Sequence, residues 1–201
     1  INNPMGVILG FTQVIVKNIK KDDPLFMPLK SIEKEAIRCK QLINDLLMFS
    51  RISKPVKETT DINNLIETTL SFVQAQAKVK NITIIKEYGH GLPQIMTNKN
   101  QLQQVIVNLC IDSMPNGGEI VITTRNADNQ IEFSVTDIGQ GMTEETKQHL
   151  FEPFFTTKDV GKGTGLGLSL CYEIIHNHNG VIEATSELDK GTVITIKLPI
   201  Q

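Results

Sequence analysis

The sequence predicts an α+β protein in two parts: a helical hairpin, then a sheet with helices on one face. Three observations carry this. Apolar residues keep a heptad-like beat from Ile1 to about Ile52, Ser53-Lys54-Pro55 interrupts it, and β-branched alternation interleaved with amphipathic stretches follows. With 201 residues, 40% hydrophobic and 21% charged, the chain is long enough for one full domain plus an appendage, or two small domains, and it buries a core.

The elements follow in order. Ile1, Met5, Ile8, Thr12, Ile15 and Ile19 recur at 4-3-4-3-4 spacing, and Leu29, Ile32, Ala36, Cys39, Ile43 and Leu46 at 3-4-3-4-3. That is the a/d seam of bundled helices. Lys21-Asp22-Asp23-Pro24 between them is a polar turn closed by Pro, so residues 1–54 form a hairpin. Val7, Leu9, Val16, Ile37, Leu42 and Leu47 widen the apolar stripe beyond a two-helix seam. This predicts pairing with a second copy into a four-helix bundle; the plainer alternative is a hairpin lying on the rest of the chain.

Residues 55–201 form the second part. Asp61 N-caps a helix running to about Lys78, Ile82–Tyr88 reads as a strand, and Asn100–Asp112 as a helix. Ile120–Arg125 and Ile131–Asp137 alternate as strands joined through Asn126–Gln130. Leu166–His178 is helical, and Val181–Ser186 and Val193–Leu198 close a mixed, mostly antiparallel sheet.

Composition excludes several classes. Lys+Arg number 20 against 22 Asp+Glu, a net charge of −2, whereas a dedicated nucleic-acid binder would be basic. No apolar run is long enough to span a bilayer. Cys39, Cys110 and Cys171 are widely spaced without a CxxC, and read as reduced, mostly packed thiols of a reducing compartment. No signal-peptide pattern opens the chain, and Ile1-Asn2-Asn3-Pro4 reads as an abrupt beginning cut from something longer.

Three constellations in the second part carry chemistry. Asp137-Ile-Gly139-Gln-Gly141-Met142 follows a strand. Its carboxylate can accept a hydrogen bond from an amino group, and its glycines let backbone approach a flat ligand, though a plain turn has the same pattern. Gly161-Lys-Gly163-Thr164-Gly165-Leu166-Gly167 runs into a helix, with Lys158 and Lys162 adding charge suited to phosphates. It is neither a Walker loop nor GxGxxG, because the third glycine position is Leu168. Gln104, Asn108 and Asp112 stand at i, i+4 and i+8 on one helix face. Oxygen ligands from Asn and Asp suit Mg²⁺; a solvated helix face is the alternative.

The order Asn108, Asp137-x-Gly139-x-Gly141, Phe151-Glu-Pro-Phe154-Phe155 and Gly163-Thr-Gly165-Leu-Gly167 strongly resembles the ATP-binding, Bergerat-fold domain of sensor histidine kinases. The hairpin resembles that family's dimerisation and phosphoacceptor domain. The resemblance implies that Asp137 accepts the adenine amino group and that Gly139 and Gly141 shape the adenine pocket. It implies Asn108 and Asp112 as Mg²⁺ ligands, and Gln104 as a catalytic residue. Lys158, Gly163, Thr164, Gly165, Leu166 and Gly167 become a lid over the triphosphate of ATP. Phe154 and Phe155 pack as the lid's hinge or as plain core aromatics, and Thr156 and Thr157 are lid contacts or hinge residues.

The pattern is broken in two places. The family's phosphorylated His opens a His-Glu-x-x-Asn/Thr-Pro motif, and Ile1–Pro4 matches only its tail. His90, His149, His176 and His178 read instead as surface or packing residues. Asn3, four residues after the expected His, falls where the family orients an attacking water on a phosphorylated partner. The asparagine box also reads Asn108-Leu-Cys-Ile-Asp112-Ser-Met-Pro, where the family has a second Asn-Ala four residues after the first. Either Asp112 replaces that Asn, or three residues are missing before Asp112; the downstream Met-Pro-Asn-Gly-Gly match favours the gap. A three-residue loss turns a helix by about 300° and shortens it by about 4.5 Å. Asn98 stands where the family usually has Asp.

The implied function is the cytoplasmic core of a two-component kinase, a homodimer through the hairpin. It passes the γ-phosphoryl of ATP to a histidine and on to a response-regulator receiver domain. Any membrane attachment lies upstream, and Ser53–Thr59 is the expected hinge. Two rivals stand beside it: a pseudokinase scaffold, suggested by the missing His and the altered box, and a clamp-type ATPase of the same fold, against which the hairpin argues.

Overall fold

A computed structural model describes residues 2–50, 56–79, 81–113, 117–158 and 163–200. Two compact units are formed, residues 1–53 with 156–164 and residues 54–155 with 165–201.

In the first unit, α1 (Asn2–Asn18) and α2 (Phe26–Ser50) make the hairpin. The Asp23 carboxylate accepts the Leu25 N–H at 2.8 Å, and the Phe26 N–H reaches the Asp23 carbonyl at 2.9 Å, so the turn is tied by its own residues. The sheltered face of α1 is Met5, Leu9, Thr12 and Val16, continued by Ile19 just beyond its end, and that of α2 includes Phe26, Leu29, Glu33, Ala36 and Ile43. Thr12, buried there, donates its hydroxyl to the Ile8 carbonyl at 2.7 Å. As the width of the apolar stripe predicts, the hairpin by itself covers only part of it. Ile8, Ile15 and Ile32 remain 46%, 46% and 48% exposed, beside Val7, Phe11, Val14 and Ile37. Two helices share only one mutual face, and this stripe is wider than that face. Cys39 is also exposed rather than packed, whereas Cys110 and Cys171 are buried.

The second unit holds a five-stranded sheet in the order β2 (Ile82–Tyr88), β4 (Gly118–Ala127), β5 (Gln130–Asp137), β7 (Gly191–Pro199), β6 (Val181–Glu187). Only β2–β4 is parallel. The helices α3 (Ile62–Val79), α4 (Lys99–Ser113) and α6 (Gly167–Asn177) lie on the sheet, against β2, β5 and β6 respectively, with α4 between the other two. Period-2 alternation sends Ile120 and Ile122 of β4, Ile131, Phe133 and Val135 of β5, and Ile194, Ile196 and Leu198 of β7 into the core. The same parity carries Asp137, which is 8% exposed. Asp61 caps α3 through the Asn64 N–H at 3.0 Å.

Some details differ from expectation. The β4–β5 connection shrinks to Asp128-Asn129, both at positive φ (46° and 64°), a hairpin turn whose twist matches the strands. A short β1 (Glu58–Thr60) pairs antiparallel with β3 (Ile95–Thr97). The expected hinge is therefore corrected at Glu58 and Thr59, which are tied into a ladder; residues 53–55 lie outside the described ones. Helix α5 (Glu144–His149) is capped by the Thr143 hydroxyl, which accepts the Thr146 N–H.

His178, at the end of α6, is buried and joins two helices. Its Nδ1 lies 2.7 Å from the Ile174 carbonyl, and its Nε2 accepts the Asn98 N–H at 3.1 Å. A carbonyl only accepts, so Nδ1 carries the proton and the ring is neutral. The Asn98 side chain in turn accepts the Gln101 N–H at 3.1 Å, so an Asn in place of the family's Asp still caps α4. Burial, with a smaller push from the Lys57 charge, holds the His178 pKa below its ordinary value of 6.5, against the bond to Ile174. The unfolded state therefore takes up a proton before the folded state does. This contribution to stability is present above about pH 6.5 and is lost as pH falls through the folded-state pKa. Urea midpoints are expected to fall between pH 7.5 and 5.5, with a flatter dependence in His178→Gln; equal slopes in both proteins would remove this role.

Candidate functional site

Asp137 ends β5 opposite Ile120 of β4 and Thr192 of β7. Its Oδ1 accepts the Gly139 N–H at 2.8 Å, so the carboxylate is held by the turn it begins. Burial pushes its pKa up, while backbone hydrogen bonds from Gly139 and Thr192 pull it down. Gly141 follows at φ +64°, and a Cβ there would collide with the Glu187 carbonyl. The Asp189 N–H donates to the Gln140 carbonyl at 2.7 Å, which fastens the β6–β7 turn to this loop. Gly141 is thus demanded by backbone packing, apart from any role toward a ligand.

On α4, Gln104 Nε2 donates to Asn108 Oδ1 at 2.7 Å, and Asn108 Nδ2 donates to the carbonyl of Gly167, the first residue of α6, at 3.2 Å. The helix continues to Ser113, so Asp112 follows Asn108 by one turn. The side chains of residues 111–113, and Met114, Pro115 and Asn116, lie outside the described residues. No side chain caps the start of α6, where Leu166 is the N-cap residue. Among the described residues no cluster of three or more His, Cys, Asp or Glu could hold a metal. The donor that is present, a fixed amide oxygen, suits a hard cation that keeps its waters and borrows substrate oxygens. Magnesium fits that description.

Phe154 and Gly165 approach each other closely through their backbones. The Phe154 N–H donates to the Gly165 carbonyl at 2.9 Å. Gly165 has φ +68°, and a Cβ would meet the Phe154 carbonyl oxygen at 2.6 Å. Phe154 has φ +68° and is 65% exposed, which excludes the plain-core reading; Phe155 is half-buried. In the other unit, the Lys158 N–H bonds the Thr156 hydroxyl at 3.2 Å, and a Cβ on Gly163 would lie 2.6 Å from that hydroxyl. Gly161 and Lys162 lie outside the described residues. Thr164 is half-buried, and Asn3 is exposed in the first turn of α1.

Of the residues singled out, Gln104, Asn108 and Gly167 are brought into one hydrogen-bonded chain, and Asp137 and Gly139 into another. Sequence reasoning missed Thr192 beside Asp137 and the Glu187–Gly191 turn against Gly141. The β-turn signal at Asp189-Lys190-Gly191 is visible, but its partner is set by the β5–β7 pairing.

Residues 97–201 match the family described as histidine kinase-, DNA gyrase B- and HSP90-like ATPase, and residues 1–55 match the His Kinase A (phospho-acceptor) domain. Sensor kinase CckA of Brucella abortus (strain 2308) is 36% identical over 216 residues, covering 98% of this chain; the chain spans 23% of that relative's length. Full-length ShkA in complex with AMPPNP superposes with a TM-score of 0.78 at 23% identity over 98% of this chain and 43% of that one, a likeness of fold. Histidine kinase ThkA in complex with the response regulator TrrA gives 0.73 at 25% identity, covering 99% of this chain and 58% of that one.

Proposed function

The chain belongs to the sensor histidine kinase family, and from that membership we propose that it is an ATP-dependent protein-histidine kinase core. The observation that carries this reading is a buried carboxylate at the end of β5 in the same domain as the Asn108 amide of α4, which is held against the start of α6.

Asp137, ionised, accepts the adenine amino group, and the Gly139–Gly141 loop lines the base. Asn108, with Asp112 one turn on, holds Mg²⁺, whose charge offsets that of the phosphates. The start of α6 turns its first N–H groups toward phosphate oxygens, where the helix dipole favours negative charge. Lys158, Gly163, Thr164, Gly165, Leu166 and Gly167 form the lid that excludes water. An imidazole nitrogen attacks the γ-phosphorus, the bond to the ADP oxygen breaks, and the phosphoryl then passes to a receiver aspartate. The division of labour is residues 1–54 for dimerisation and phosphotransfer and 55–201 for nucleotide chemistry.

The partners follow from the hairpin. Its exposed stripe, with Phe11 at 68% and Val14 at 59%, is covered by a second copy in a four-helix bundle. A receiver domain docks on the same hairpin, where Asn3 orients water for dephosphorylation; ThkA was crystallised with such a regulator. No helix among the described residues is long and apolar enough to cross a membrane, and we place the activity in the cytoplasm.

The test supplies γ-labelled ATP and an intact phosphoacceptor hairpin from a relative in trans. The expected product carries an acid-labile, base-stable label, and the chain itself sediments as a dimer. A monomer, or no label despite bound nucleotide, would overturn the corresponding half of the reading.

A further inference from the structure

We propose that Gln104 is a positioning residue for the metal-binding oxygen of Asn108, acting as an obligatory hydrogen-bond donor. The inference rests on the reading of Asn108 as a Mg²⁺ ligand.

Its basis is the one-way direction of the hydrogen-bond chain. The Gly167 carbonyl can only accept, so the Asn108 atom facing it at 3.2 Å is the NH₂ group. That choice fixes the amide and turns Oδ1 toward Gln104. An amide oxygen can only accept, so the Gln104 atom facing it at 2.7 Å is Nε2. No member of the chain can flip without setting donor against donor or acceptor against acceptor. Asn108 Oδ1 has two lone-pair directions; Gln104 takes one and leaves the other for a cation. Both side chains are half-buried and one turn apart on α4, so the pair moves as one unit.

Groups behind a metal ligand commonly orient it and raise its basicity. Here the support comes from the preceding turn of the same helix. Without a donor at position 104, the Asn108 amide loses one of its two tethers and presents NH₂ to the cation in part of the population. A carboxylate at that position would be worse than an apolar group. Glu only accepts, so it would draw the Asn108 NH₂ and turn Oδ1 against the Gly167 carbonyl, acceptor facing acceptor.

The experiment is calorimetric titration of a non-hydrolysable ATP analogue into the whole chain, with and without Mg²⁺. The readout is the affinity gain that magnesium confers. Gln104→Met keeps the length of the side chain but removes the donor. It is expected to lose about 10–100-fold of that gain, the usual loss for a removed outer partner, with metal-free affinity unchanged. Gln104→Glu is expected to lose at least as much despite its added negative charge. Asn108→Ala is the control for the underlying reading: if the native chain shows no gain, or this variant keeps it, the metal assignment itself falls. If Asn108→Ala loses the gain while Gln104→Met retains it, or Gln104→Glu exceeds the native chain, the positioning role is overturned and the metal assignment stands.

Discussion

Asp137→Asn is expected to abolish nucleotide binding without unfolding the protein. The Asn Oδ1 keeps the Gly139 N–H, the bond made by the native carboxylate at 2.8 Å. Its NH₂ then occupies the position of the second carboxylate oxygen and meets the adenine amino group donor to donor. A site whose buried polar group is left mispaired rejects its ligand strongly, and the expected loss is about 100-fold or more. Stability should move the other way. Burial raises the Asp137 pKa, so the folded state holds a proton more tightly than the unfolded state does. The ionised group therefore costs stability at neutral pH, and that cost disappears as pH falls through its folded-state pKa. Removing the charge should leave the thermal midpoint at pH 7 unchanged or raised. Native affinity in the Asn variant would remove the adenine assignment; loss of binding together with a collapsed midpoint would show a structural role instead.

The second large effect is expected at Gly141. A methyl group there meets the Glu187 carbonyl, and the residue sits at φ +64°. The backbone conformation costs about 1–2 kcal/mol for any residue with a Cβ, and forcing the turn away from the loop adds about 1–3 kcal/mol. Gly91 separates the two costs, since it has the same φ of +64° with nothing within 4 Å of a built Cβ. Urea denaturation should show Gly91→Ala paying only the conformational part, and Gly141→Ala losing more. Equal losses would mean that the β6–β7 turn yields freely. Because Gly141 lies four residues from Asp137, Gly141→Ala should also weaken nucleotide binding, whereas Gly91→Ala should not.

Much of the fold was legible because its signals are local. Asp61 was readable as a cap, Ile82–Tyr88 as a strand, and α4 and α6 from their periodicity, each within a residue or two of the observed bounds. The motifs that identified the family are likewise contiguous runs. What escaped depends on distant pairing. The three-residue strands β1 and β3 are too short to show a period, and they exist because they pair with each other. Cys39 read as packed because its heptad position is apolar, but exposure is decided by which helix face has a neighbour. Phe154 read equally as hinge or core, and its 65% exposure in the structure excludes the core reading.

The amino-acid order alone determined the helical hairpin, the alternation that puts Asp137 on the core-facing parity of its strand, and the four motifs that resemble a histidine-kinase ATP-binding domain. Tertiary structure decided which groups those residues meet: Thr192 beside Asp137, Glu187 against Gly141, and Gly167 at the end of the Gln104–Asn108 chain. The physical reason is range. Period and capping arise within a few residues, whereas the direction of a buried hydrogen bond depends on which strand or helix the fold brings opposite it.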